Sequence, residues 1–221
     1  VSEDHYNRFE IVSLQRLIRY AAVFFTLLFS GTYLAVTNFH TQVLPASLIL
    51  SFSEARQGVP FPGVLEILFM EIAFETIREA GVRMPGPLGG TIGIVGGLIV
   101  EANLVSPIVV VVVAVTALCS LAIPNEEFSA PFRLLKFGFI LLGGMLGVFG
   151  ILLGLYLTAS HLAGLKSFGI PYLTPFAAQT KAGYRGEGDS VIRAPFRFLT
   201  RRPLYAQRNQ KVRLRMEKGG K

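Results

Sequence analysis

Long uncharged apolar runs alternate with short polar breaks along this chain, and their lengths predict helices that suit a lipid bilayer. Residues 20–39 (YAAVFFTLLFSGTYLAVTNF) carry no charge. At about 1.5 Å per residue they reach roughly 30 Å, the thickness of a bilayer's hydrocarbon core. Residues 137–160 (FGFILLGGMLGVFGILLGLYLTAS) give 24 uncharged positions and predict a second span. Within it Gly143, Gly147, Gly150 and Gly154 recur at intervals of 4, 3 and 4. That spacing predicts one helical face that a neighbouring backbone can approach closely. Residues 108–123 (IVVVVVAVTALCSLAI) form a third run, bounded by Pro107 and Pro124. In water five consecutive valines would favour a buried strand. In lipid an isolated strand leaves its backbone unsatisfied, so a helix is expected, with breaks at both prolines and Pro107 in the first turn.

Two apolar stretches are shorter. Residues 43–52 (VLPASLILSF) are interrupted by Pro45, and Gln57-Gly-Val-Pro-Phe-Pro62 then predicts a rigid turn before a new helix. Residues 88–100 (LGGTIGIVGGLIV) are 13 long and meet Glu101-Ala-Asn103. They read either as a short re-entrant helix or as a span with a polar interruption.

Charge adds an orientation. Only 16% of the 221 residues are charged, against about 25% in soluble domains. From residue 181 onward 12 Lys and Arg face 3 Asp and Glu, whereas residues 1–180 carry 9 against 11. A basic excess confined to a tail after apolar segments points to membrane orientation and argues against nucleic acid. Arg16 and Arg19 just before the first run place that side in the cytoplasm, and the tail, with Arg193, Arg197, Arg201 and Arg202, is placed there too. These basic residues would also hold anionic lipid. With both ends inside, the crossings must be even in number, so three spans call for a fourth among the weaker segments. The expected fold is an all-α integral membrane protein, a polytopic helical bundle. Its parts are a cytoplasmic lead-in over 1–19, a membrane domain over 20–177 and a flexible basic cytoplasmic tail over 178–221.

The segment with chemistry is 64–80, Val-Leu-Glu-Ile-Leu-Phe-Met-Glu-Ile-Ala-Phe-Glu-Thr-Ile-Arg-Glu-Ala. Glu71, Glu75 and Glu79 fall at i, i+4 and i+8 and form one stripe, with Glu66 to the side. Nine strongly apolar residues contribute very roughly −4 kcal/mol to insertion, while four carboxylates cost about +10 kcal/mol or more. A solitary lipid-facing helix is therefore excluded. In one reading the helix lies in the interface or packs on the bundle, its glutamates facing water or pairing with Arg78 and Arg83. In the other, several copies line an aqueous cavity and the stripe attracts cations.

Other chemistry is sparse. Cys119 sits in an apolar run and has no partner for an intramolecular disulfide; His5, His40 and His161 fit no metal spacing. No phosphate-binding loop, nucleophile elbow or metalloenzyme motif occurs, so neither an enzyme nor a cofactor is expected. The chain starts Val-Ser-Glu-Asp without Met or a signal pattern, which reads as a piece of something longer.

Several stretches together resemble the membrane half of GerA-type spore germinant receptor A subunits and the related stage V sporulation AF proteins. They are Arg56-Gln-Gly-Val-Pro-Phe-Pro62, Glu75-Thr-Ile-Arg-Glu-Ala-Gly-Val-Arg-Met-Pro85, Leu104-Val-Ser-Pro107, Leu121-Ala-Ile-Pro124 and Lys166-Ser-Phe-Gly-Ile-Pro-Tyr-Leu-Thr-Pro175. Ile192-Arg-Ala-Pro195 and Arg202-Pro203 close the pattern, so the resemblance covers residues 1–205. It implies the inner membrane of bacterial endospores and a nutrient-responsive or signal-amplifying oligomer that conducts monovalent cations. Implied partners are a second integral membrane subunit and, for receptors, a lipoprotein. Under the resemblance a cavity-facing role for Glu71, Glu75 and Glu79 gains weight. The chain departs from the family in lacking its large N-terminal domain and a short insert after Val100. A secondary transporter and a non-conducting scaffold are the alternatives.

Overall fold

The computed structural model describes residues 8–83, 97–168 and 170–173. Helix α1 (Phe9–Phe39) takes in the first apolar run together with Arg16 and Arg19. A 3-10 turn (Thr41–Val43) and helix α2 (Ala46–Ala55) follow, with Pro45 as the N-cap of α2. Helix α3 is Gly63–Arg83 and α4 is Pro107–Leu121, Pro107 occupying the first turn where its missing N–H costs nothing. Helix α5 (Glu126–Leu146) is capped by Asn125, whose side chain accepts from the Glu127 and Phe128 amides. Helix α6 is Val148–Gly164. The predicted segment at 88–100 falls largely outside the described residues, as does the tail from 178.

The chain forms two compact units, residues 21–155 and residues 1–20 with 156–221. In the latter, Lys166–Ser167 pairs antiparallel with Ile170–Pro171. In the former, the core centres on α3. Ile67, Met70 and Phe74 pack against Leu34 of α1, Val109 and Val113 of α4 and Ile140 of α5.

Beside its apolar core this unit buries several charged and polar side chains, and it exposes many large apolar ones. Glu66, Glu71, Lys136, Thr116 and Ser120 are buried, while Phe149 is 77% and Leu134 76% exposed. Charged groups inside and large apolar groups outside suit a solvent that is itself apolar. Close packing and interhelical hydrogen bonds then hold the helices together, because lipid tails are as apolar as the core.

The predicted single helix over 137–160 is corrected. It breaks at Gly147, which sits at φ +63° and ψ −143°, a conformation that L side chains rarely adopt. Helix α6 folds back along α5: Gly150 abuts Leu142, and a Cβ on Gly154 would meet the Phe139 ring at 2.8 Å. Residue numbers fall on one helix as they rise on the other, which defines an antiparallel hairpin. Regular glycine spacing is equally compatible with a helix interior and with a turn flanked by small contact residues. Among the described residues two helices, α1 and α5, are long and apolar enough to cross a membrane; α2, α4 and α6 are shorter apolar helices. At 15 residues α4 is about 22 Å long, less than a full hydrocarbon core.

Candidate functional site

Helix α3 begins after Pro62, whose carbonyl accepts from the Leu65 and Glu66 amides. Its four glutamates split into two kinds. Glu66 and Glu71 are buried, at 1% and 0% exposure. Glu66 lies in the first turn, where the helix dipole favours a negative charge. Its Oε2 accepts from the Ser106 amide at 3.0 Å and the Ser106 hydroxyl at 2.9 Å, and its Oε1 accepts from Arg56 at 3.3 Å. Ser106 is the N-cap residue of α4, yet its hydroxyl serves Glu66 instead of capping the helix.

Glu71 joins four helices. Its Oε1 accepts from Ser30 of α1 at 2.8 Å and from Thr116 of α4 at 3.0 Å. Its Oε2 accepts from Lys136 Nζ of α5 at 2.6 Å. Three donors from three helices thus converge on Glu71, and Lys136 Nζ also lies 3.8 Å from Glu75 Oε2. A buried ion is tolerable only when paired and hydrogen-bonded in this way.

Glu75 is one-third exposed, and its Oε1 accepts from Arg133 of α5. Arg133 and Lys136 are three apart on α5 and face Glu75 and Glu71, four apart on α3, so the two helices form an antiparallel ionic ladder. Among the described residues, Arg133 Nε is buried without a hydrogen-bond partner. Glu79 is exposed. With Glu75, Thr76, Ile72 and Phe137 it lines an open groove of about 580 Å³. Arg78 donates to Ser120 of α4 at 2.6 Å.

The sequence profile described as Bacillus/Clostridium GerA spore germination protein matches residues 1–205. The chain belongs to the GerA family of spore germination proteins. It is 38% identical over 216 residues to spore germination protein KA of Bacillus subtilis (strain 168), covering 96% of this chain and 39% of that one. It is 41% identical over 210 residues to spore germination protein GerLA of Bacillus cereus, covering 93% and 42%. An uncharacterized membrane protein of Bacillus subtilis, YfkQ, is 39% identical over 207 residues, covering 91% and 40%. The chain therefore spans about two-fifths of the length of these curated relatives. No solved structure matches it.

In this GerA-family chain the other sequence-predicted residues lie as follows. Gly143 meets the Gly31 backbone of α1, where an added Cβ would lie 3.0 Å from the Gly31 carbonyl carbon. Gly147 is the hairpin turn, and Gly150 and Gly154 are contact points within the hairpin. Pro107 opens α4, and Pro124 lies in the exposed link between α4 and α5. Arg193, Arg197, Arg201 and Arg202 lie outside the described residues. Sequence reasoning missed Lys136, Arg133, Arg56, Ser30, Thr116 and Ser106. For two of them a signal existed: Arg133 and Lys136 share one face immediately before a long uncharged run, and a base in that setting needs a facing acid.

Proposed function

We propose that the chain is the membrane part of a germination-apparatus subunit that assembles as an oligomer and conducts monovalent cations. The supporting observation is the outer half of the α3 stripe. Glu75 and Glu79 share a surface with exposed Phe69 and Ile72. Covering an ionised side chain with lipid costs about 2.5–3.5 kcal/mol. The same groove turned toward a water-filled axis by several copies keeps the carboxylates hydrated and the apolar faces in contact with lipid or protein. A ring of carboxylates then concentrates cations. In this reading Glu66 and Glu71 shape the pathway without lining it, because they are fully buried, whereas Glu75 is one-third exposed beside Arg133.

The membrane domain comprises residues 20–177 and the basic cytoplasmic tail residues 178–221, in the spore inner membrane. A second integral membrane subunit and a lipoprotein complete the assembly. The KA and GerLA relatives are named as spore germination proteins, and this assignment extends that role to the chain. The test is potassium flux through liposomes containing the full-length protein with its membrane partner. Glu75→Gln/Glu79→Gln is expected to lower flux at least about tenfold by removing the local negative potential. Unaltered flux contradicts the pathway; flux coupled stoichiometrically to another solute favours a transporter, and absent flux favours a scaffold.

A further inference from the structure

At the end of α1, the 3-10 turn and α2 enclose a second pocket, of about 350 Å³, bordered by Tyr33, Thr41, Ser53 and Arg56. Leu44, Ile49 and Phe52 supply its apolar wall. Each of these four polar side chains can donate a hydrogen bond; a fifth, Thr37, already donates to the Tyr33 carbonyl at 2.9 Å, and no carboxylate lines the pocket. Among the described residues, the Tyr33, Thr41 and Ser53 hydroxyls have no hydrogen-bond partner. The Arg56 guanidinium has five N–H donors, and its one partner among the described residues is Glu66, reached through a single nitrogen.

Arg56 is also held in place. It lies over Gly63, where an added Cβ would come within 3.2 Å of the guanidinium carbon. Glu66, which anchors it, is buried and occupied on its other oxygen by Ser106. Glu66 therefore positions the guanidinium and offers nothing to a ligand. Convergent donors beside an apolar wall fit acceptor oxygens carried on an apolar body. Around the pocket, Val43 is 74% and Leu50 65% exposed. Side chains of that kind at the end of an apolar helix suit the boundary of a bilayer.

We propose that this pocket binds a phosphate-type oxyanion, the chemistry of an anionic phospholipid headgroup. The proposal needs α2 to lie at the membrane surface and does not depend on conduction, so either can fail without the other. The experiment places the full-length protein in nanodiscs of neutral lipid with a minor share of phosphatidylglycerol. Native mass spectrometry then counts the phosphatidylglycerol retained. Thr41→Val/Ser53→Ala leaves the Arg56–Glu66 pair intact, and Arg56→Lys keeps the charge but loses the planar fork. Each change is expected to lower retention about three- to tenfold, the effect of one or two lost hydrogen bonds. Competition by soluble glycerol phosphate would support the site and assign its ligand to the free phosphate ester; competition that fails while retention falls assigns it to the lipid. Retention equal to wild type in both variants, with unchanged unfolding temperatures, would overturn the proposal.

Discussion

The inner and outer halves of α3 each carry two glutamates and place them in opposite situations. Glu66 and Glu71 are sealed among donors from α1, α4 and α5, or from the α2 end, and each carboxylate oxygen is occupied. Glu75 is one-third exposed and shares its cation partners with the ladder, and Glu79 opens onto a groove. A stripe of acids on one helix is therefore not one functional unit. The inner pair cements the bundle, because an ion that is buried and fully bonded cannot also serve passing cations. Glu79 remains open to solvent, and Glu75 is partly so beside Arg133.

Lys136 is where that division breaks most easily. Lys136→Met strands the Glu71 charge in the core, and a loss of about 3–5 kcal/mol in unfolding free energy is expected. Adding Glu71→Leu should recover most of it, since apolar replacement of a whole buried pair is often neutral or stabilising. A double variant as unstable as the single one would mean that Glu71 does more than balance Lys136. Next in size is the backbone contact that brings α1 against α5. Gly143→Ala pushes a methyl group into the Gly31 carbonyl and should cost about 1–3 kcal/mol, measured by denaturant unfolding in detergent. The smallest stability effect belongs to the outer pair: Glu79→Gln should stay within about 0.5 kcal/mol of wild type, as exposed substitutions do, while still contributing to the flux loss.

Much of the element map was legible from sequence because it depends on local chemistry. Pro107 opens α4 where a proline is tolerated, and Gly63–Arg83 is helical across the acidic segment. The break at Gly147 was not legible, since a glycine in a run of good helix formers reads as interior until its φ is known. Nor were the partners of the glutamates. Lys136 lies 65 residues from Glu71 and Ser106 lies 40 from Glu66, so these pairs exist only after the helices pack. The stripe's spacing showed which acids share a face, but what faces them is decided by α5 and α4.

The division along α3 is tested most directly by the accessibility of single cysteines in the assembled protein in liposomes. With Cys119 replaced, Glu79→Cys is compared with Met70→Cys, a buried position on the same helix without an ionic partner. A charged, water-soluble thiol reagent should modify the first at least about tenfold faster than the second, since only a hydrated thiolate reacts. Equal rates, or a silent cysteine at position 79, would contradict a water-exposed outer half of α3.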